Sequence, residues 1–442
     1  MSPVSLRPSP WYRLAVATAA AGGWVVARFN PKLARGLEGR RGLDARLAAW
    51  GASGRDTRRP LAWFHAPSVG EGLQVKPVID ALRAAHTDWQ LAYTFFSPSA
   101  ERLAHGLSVD FTDYLPFDRP HAIAAALEAL NPTALVFGKL DVWPELALAA
   151  ARRGTRLGLI SATVSLGSSR LSWPVRPWAM PAYAALDRIG AIAEADAARL
   201  ERLGARPQTI TITGDTRYDS VAARVAQLDR QAEPFASLAR DGRGAFTIVA
   251  GSTWPTDERV LLPAFADLAA RTDGRVRLIL APHEPTAVHL AGVAGTARQL
   301  RLPEPVPLSR YPMGGGETSG TLILVDRVGL LADLYALAEV AYVGGGYHRA
   351  GLHSVIEPAA FGVPVCVGPR WEMSRDAGEL IRREAAIALP GDGRAALVAQ
   401  WLRWRDDPTA RQRAGAAAAT VVKEGQGATA RTVALVRELV AR

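Results

Sequence analysis

Residues 339–369 read EVAYVGGGYHRAGLHSVIEPAAFGVPVCVGP, and this stretch restricts the chain to few architectures. Val340 to Val343 is a short apolar run of the length of a buried strand. Gly344, Gly345 and Gly346 follow at once; with no Cβ, they let the backbone turn sharply and approach a ligand closely. Gly351 closes that loop. Leu352 to Phe361 reads as one short helix ended by Gly362, with Pro358 either kinking it or marking a new first turn. Pro364 to Val367 is a second buried strand. Strand, glycine loop, helix start and strand is how an α/β sheet presents backbone N–H groups to an anion. Glu357, a few residues into the helix, is placed to accept from the two hydroxyls of a ribose while those N–H groups hold a phosphate. Glycines alone suit an ordinary βαβ crossover equally well. The run of three glycines, then His353 and Glu357-Pro358, tips the reading to a nucleotide site.

The rest of the chain extends the pattern in two series. From Leu61, strand patterns at LAWFHAP, Trp89 to Phe96, Asp113 to Phe117, Ala134 to Phe137, Arg156 to Ser161, Arg188 to Ala193 and Thr209 to Gly214 alternate with helices. A second series runs through Phe246 to Ala250, Val276 to Ala281, Thr321 to Val325, Val340 to Val343 and Val363 to Val367. Alternation of this kind predicts parallel sheets covered on both faces. The fold class expected is α/β, with two Rossmann-like domains facing a cleft: residues 51–225 and 240–442, joined near 220–240. Residues 303–320, with four prolines and four glycines, read as a surface loop.

Before the first series lies LAVATAAAGGWVVA, Leu14 to Ala27, 14 residues without a charge. A spanning helix needs about 20. Residues 1–50 read best as a membrane-associated helix and a basic segment, with a buried N-terminal helix as the competing reading. Between Arg28 and Arg59 there are nine basic residues and three acidic ones, a local +6 out of a total of +10. The remainder is near balance, which argues against nucleic acid as a partner and points to an anionic membrane surface or an anionic substrate. The single cysteine, Cys366, excludes an intramolecular disulfide and reads as a small core residue.

Between a strand and a helix of the first series stands PSVGEG, Pro67 to Gly72. Ser68, Gly70 and Gly72 suggest a tight loop with Glu71 at the helix start. A carboxylate there is favoured by the helix dipole and is either a capping acid or a general base at the carboxyl end of a strand. The residues alone leave both open. No DxD and no His/Asp cluster with ligand spacing is present, so no metal and no cofactor are expected. His65, His283, His348 and His353 are scattered among separate loops, where hydrogen bonding in the fold is as good a role as chemistry.

The order of motifs resembles the 3-deoxy-D-manno-octulosonic acid (Kdo) transferases of lipopolysaccharide assembly, inverting glycosyltransferases of GT-B architecture, over nearly the whole chain. HAPSVGE (His65 to Glu71) is similar to that family's H-x-x-S-x-G-E loop, in which the Glu is the catalytic base. FFSPSAERL, YLPFD (Tyr114 to Asp118), Glu194-Ala195-Asp196-Ala197 and GDTRYD (Gly214 to Asp219) resemble further landmarks in the same order. GSTWPTDE (Gly251 to Glu258) resembles its G-S-T nucleotide loop, APHEP its A-P-H-E loop, and the glycine-rich stretch its GG…G-x-H-N-x-x-EPA segment. There are departures. The family's E-T-E-x-W-P is Lys139-Leu140-Asp141-Val142-Trp143-Pro144, its N-A-R-L-S is Ser161 to Ser165, and its G-x-H-N ends in Ser354.

The resemblance implies a CMP-Kdo donor and a lipid A precursor as acceptor, at the cytoplasmic face of a bacterial inner membrane. On the donor side it implies Ser252, Thr253, His283, Gly344, Gly345, Gly346, Gly351, His353, Ser354 and Glu357, with Arg217 reaching the donor's charge. On the acceptor side it implies Glu71 as base, with Ser68, Gly70, Lys139 and Asp141 around it; Asp141 and Glu145 are the alternative acids. Two other readings stand beside it: a GT-B enzyme using a UDP-sugar, including an epimerase, and a non-catalytic relative.

Overall fold

The computed structural model describes residues 7–165, 167–272, 275–311 and 322–441. They form two compact units. One contains the residues up to Ser220 together with those from Gly425 onward; the other is Val221–Glu424.

The first unit holds a seven-stranded sheet of β1 (Leu61–His65), β2 (Gln90–Phe95), β3 (Phe111–Tyr114), β4 (Ala134–Gly138), β5 (Arg156–Ala162), β6 (Arg188–Ala191) and β7 (Ile210–Ile212). All pairs are parallel, in the order β3-β2-β1-β4-β5-β6-β7. The runs LAWFH, QLAYTF and ALVFG are buried along their whole length, because helices cover both faces of a parallel sheet. The second unit repeats the plan with β8 (Phe246–Thr253), β9 (Val276–Pro282), β10 (Val306–Pro307), β11 (Leu322–Leu324), β12 (Val340–Val343), β13 (Val365–Val367) and β14 (Ala386–Ala388). Its order is β10-β11-β9-β8-β12-β13-β14. The edge strands β10 and β14 were not expected; at two and three residues they are too short to carry a period. Of the expected loop 303–320, residues 312–320 lie outside the described residues.

In both sheets the chain winds outward from a central strand in one direction and then in the other. The reversal falls between β1 and β4, and between β8 and β12. Helices leaving the two strands go to opposite faces there, which opens a crevice at the carboxyl ends.

Two boundaries differ from expectation. The last helix, Ala428–Val440, belongs to the first unit and not to the second. It buries Leu435, Val436 and Leu439 against the first sheet. A Cβ on Gly158 in β5 would meet Leu439 at once, so this glycine makes room for the helix. Asp219 fastens its start by accepting from the amides of Gly427 and Thr429, both at 2.6 Å. Local periodicity shows that such a helix is amphipathic but not which core it covers.

The second difference concerns residues 28–59. Arg40 is drawn inside, its guanidinium 4.2 Å from the Phe96 ring centroid and 4.7 Å from that of Tyr114, donating to the carbonyls of Leu115 and Phe96. Burial pushes its pKa down to about 10. Arg46 grips Asp113 with two bonds, Arg55 closes the helix Pro120–Leu130 by donating to the carbonyls of Leu130 and Asn131, and Arg59 binds the carbonyls of Thr87, Asp88 and Trp89. Much of the expected basic patch is therefore part of the fold. Arginine suits this use because its planar fork satisfies several carbonyls at once.

The first helix, Pro10–Val26, docks through its first turn. Tyr12 donates to Asp118 at 2.6 Å, and Arg13 grips buried Glu145 at 2.6 and 2.9 Å. Asp118 also accepts from the amides of Glu145 and Leu146, capping the helix Pro144–Arg152. No helix among the described residues is long and apolar enough to cross a membrane.

The C-terminal helix supplies a direct test of the unit assignment. Leu439→Ala removes a buried side chain and should cost the first unit about 2–5 kcal/mol. Denaturant unfolding should show the first transition shifted and that of the second unit in place; an unshifted first transition would show that the helix is not part of that core.

Candidate active site

The two reversals place the conspicuous residues of both motifs at carboxyl ends of central strands. In the first unit, β1 ends at His65 and the helix Val69–Ala85 begins four residues later. Ser68 is its N-cap and Glu71 lies in its first turn. Gly70 and Gly72 are thus helical, where a loop was expected. Gly72 is required by packing, since a Cβ there would strike Leu103 and the Tyr93 hydroxyl; Gly70 faces open space, with nothing nearer than the Ser68 hydroxyl at 3.9 Å. The Ser-x-x-Glu spacing is that of a capping box, but the side chains meet each other: the Ser68 hydroxyl donates to the Glu71 carboxylate.

From β4, across the reversal, comes Lys139. Its ammonium lies 3.0 Å from Glu71 Oε1. Lys139 has φ = 64°, a left-handed conformation that costs a residue with a Cβ roughly 1–2 kcal/mol. Strain held at the end of a central strand marks a position fixed by its surroundings. Burial opposes ionisation of Glu71, yet the Ser68 hydroxyl and the Lys139 ammonium outweigh it and hold the pKa below the usual carboxylate range. The result is an ionised, largely buried carboxylate at a helix N-terminus, able to accept a proton.

The other acids are engaged elsewhere. Asp141 pairs with Arg170; burial raises its pKa, and the negative charge of Glu71 adds to that against the pull of Arg170. Glu145 is held by Arg13 and has its side chain 2% exposed. It is a docking residue of the first helix, which removes it as an alternative base. His65 is also structural. Its Nδ1 sits 3.0 Å from the Thr94 carbonyl and its Nε2 accepts from the Trp143 indole at 3.0 Å. Burial pushes its pKa down to about 3, so it is neutral. Arg217 is bound to Asp215 at 2.6 and 2.9 Å within the first unit.

In the second unit, Ser252 sits in a bulge of β8 with φ = 54°. The buried Thr253 hydroxyl donates to Glu258 at 2.8 Å, so that group is engaged inside the unit. The glycine loop departs from expectation. Gly344 N donates to the Gly251 carbonyl, Gly345 N donates to Asp257 Oδ2, and Tyr347 N to Asp257 Oδ1. Asp257, in the first turn of the helix Pro255–Arg271, occupies the position expected for a phosphate. The glycines have a packing reason instead. A Cβ on Gly344 would strike the Ser252 carbonyl, one on Gly345 the Gly351 carbonyl, and one on Gly346 the backbone of Gly368 at 2.5 Å. The helix beyond is shorter than expected, Ile356–Ala360, with Pro358 in its first turn. Glu357 lies within electrostatic reach of Arg224 and Tyr335. His353 and Ser354 stay in the irregular stretch before that helix.

One group here escaped sequence reasoning. Trp254 stacks on His348 at 4.0 Å, lies against His283 at 4.7 Å with the planes tilted by 30°, and donates its indole N–H to His353 Nε2 at 3.1 Å. The four residues come from three separate segments of the chain, and no spacing rule joins them.

Comparison with known proteins agrees with this architecture. The sequence model of the family described as 3-deoxy-D-manno-octulosonic-acid transferase matches residues 41–220. A 3-deoxy-D-manno-octulosonic acid transferase of Bordetella pertussis is 32% identical over 400 residues, covering 87% of this chain and 90% of its own. Its counterpart in Chlamydophila psittaci is 27% identical, covering 72% of each chain. Among solved structures, a glycosyltransferase from Rickettsia africae superposes with a TM-score of 0.60 at 11% identity, over 86% of this chain and 98% of that one. A UDP-GlcNAc 2-epimerase from Neisseria meningitidis does so at 0.57 and 15%, over 83% and 99%. At such identities these two likenesses speak for the fold alone. The chain belongs to the Kdo transferase family and is a glycosyltransferase.

The Glu71–Lys139 pair makes a signed prediction. Lys139→Met removes the ammonium that offsets burial, so the pKa of Glu71 rises. The acid limb of the kcat/KM profile for sugar transfer should then move to higher pH. A limb that stays in place would show that Lys139 does not set the charge of Glu71.

Proposed function

We propose that this glycosyltransferase moves Kdo from CMP-Kdo to a hydroxyl of a lipid A precursor, with inversion at the anomeric carbon. The observation that carries the chemistry is Glu71: one ionised carboxylate, in a helix first turn, held by Ser68 and Lys139 at the carboxyl end of β1. It takes the proton from the acceptor hydroxyl as that oxygen attacks the anomeric carbon, and CMP departs as an anion. A single base and direct displacement invert the centre, whereas a covalent sugar–enzyme intermediate requires a second, nucleophilic carboxylate. The nearby Asp141 is held by Arg170 and does not serve as one. The ammonium of Lys139 beside the base suits a phosphorylated acceptor.

The donor is assigned to the crevice of the second unit. Ser252, His283, His353 and Ser354 are the polar groups for its anionic oxygens, and Glu357 for the ribose. Because the amides of Gly344 and Gly345 are engaged by the fold, the side chains carry more of this task than the glycine loop does.

We further propose that the protein works at the cytoplasmic face of the inner membrane, held by its first helix lying in the interface. Trp11, Trp24, Val25 and Val26 on that helix are exposed, as is Phe29 just after it, at 85%. A group of large exposed apolar side chains of this kind supports a membrane contact.

Two experiments test these readings. Glu71→Gln keeps shape and removes the base; kcat should fall by about 10²–10⁴ with CMP binding and melting temperature retained. Near-normal turnover in a folded Gln variant would take Glu71 out of the mechanism. For the membrane, replacing Trp11, Trp24 and Phe29 by Ser should release the protein from sedimented anionic vesicles, and salt should release the wild type only weakly, since most of the arginines are engaged by the fold. A wild type that stays soluble with vesicles present contradicts the anchor.

A further inference from the structure

The stacked rings of the second unit fix hydrogen positions as well as ring planes. Trp254 and His353 lie edge to edge, with centroids 6.4 Å apart and planes 16° from parallel, joined by the indole N–H to Nε2 bond. His283 lies against both, 4.7 Å from Trp254 and 4.4 Å from His353, and His348 stacks on Trp254 with planes 7° apart. An imidazole nitrogen that accepts a hydrogen bond does not carry the proton. Neutral His353 is therefore the Nδ1–H tautomer. His348 Nδ1 accepts from the Ala350 amide at 3.1 Å, so neutral His348 is the Nε2–H tautomer. Each ring thus keeps one N–H, and neither of these is bonded among the described residues.

The first unit provides the contrast. His65 and Trp143 make the same indole to Nε2 bond, but His65 is wholly buried and its Nδ1 is also bonded, to Thr94. That pair has no donor left and is structural. The pair in the second unit is half-exposed, sits at the carboxyl ends of β8 and β12, and has a donor in hand.

We propose that Trp254 is a positioning residue for donor binding: by donating to His353 Nε2 it holds His353 as a neutral Nδ1–H donor which, with the similarly fixed His348 Nε2–H, receives an anionic oxygen of the nucleotide sugar. This rests on the second unit being the donor site. Neutral donors fixed in place cost no protonation and no reorientation when the anion arrives, which is the advantage of preorganisation. The charged and titratable groups that face His353 are Asp257, His283 and His348. Burial, and then the two other imidazoles, push its pKa down to about 4 against the pull of Asp257. The imidazole thus stays neutral through the range in which ordinary histidines titrate.

The test uses the full-length protein, with binding of CMP-Kdo and of CMP measured by calorimetry from pH 5.5 to 8. Trp254→Phe keeps an aromatic ring in the stack and deletes the donor that fixes the tautomer. At pH 8 its affinity for CMP-Kdo should fall about three- to tenfold, the size of one lost tautomer preference plus one hydrogen bond. The deficit should persist from pH 8 to pH 5.5, because burial and the two neighbouring imidazoles, which keep His353 neutral, remain in the variant. His353→Asn places an amide near the Nδ1 position that needs no tautomer, so in that background Trp254→Phe should have no further effect. An equal loss in both backgrounds, or unchanged binding in the single variant, overturns the proposal. A deficit seen with CMP as well as CMP-Kdo assigns the oxygen to the phosphate; one seen with CMP-Kdo alone assigns it to the sugar carboxylate. Nitrogen NMR of the wild type reads the tautomers directly, whatever the fate of the variant: Nε2–H at His353 would also overturn the lock. A wild type that shows the expected tautomers but binds no CMP-Kdo would instead contradict the donor reading on which the proposal rests.

Discussion

The candidate site residues of both units depend on where a parallel sheet reverses its winding. A strand paired on both sides by later strands sends one connection to each face, and the space above its carboxyl end is left open. β1 and β4 create that space in the first unit, β8 and β12 in the second. Glu71, Lys139, Ser252 and Trp254 all follow directly from these four strands or end them. Two non-glycine residues at such ends, Lys139 and Ser252, have left-handed backbones. The strain is affordable only because the buried strands before them are fixed by their ladders.

Electrostatics then selects among the acids. Burial opposes the ionisation of both Glu71 and Asp141. Glu71 stays ionised because a hydroxyl and an ammonium reach it, while Asp141 and Glu145 are each held by an arginine. At residue 139, where the resemblance implies an acid, the chain has a lysine whose ammonium lies 3.0 Å from Glu71. The same economy appears in the paired indole–imidazole contacts. One, at His65, is sealed into the core, and the other, at His353, is left facing the crevice.

Much of the fold was legible in the sequence, for a definite reason. Continuous apolar runs such as LAWFH and ALVFG have no amphipathic face and fit only a strand covered on both sides. Motif order then located the family. What was not legible depended on contacts distant in the chain. The three glycines of 344–346 looked like an anion cradle, but their amides face Asp257 and their missing Cβ atoms make room for Ser252, Gly351 and Gly368. Arg40, Arg46, Arg55 and Arg59 looked like part of a surface patch and prove to be bound into the fold by carbonyls, a carboxylate and aromatic rings. The final helix belongs to the first core through Gly158, a fact no local pattern carries. Nor does any spacing rule bring Trp254 to His283, His348 and His353.

The central claim is that a single carboxylate drives direct displacement of CMP from the donor sugar. The stereochemistry of the product tests it most directly. Incubation with CMP-Kdo and a lipid A precursor, followed by NMR of the isolated glycolipid, should show Kdo attached with the anomeric configuration opposite to that of the donor. Retained configuration would require a covalent intermediate and a second carboxylate, and would contradict the account built on Glu71.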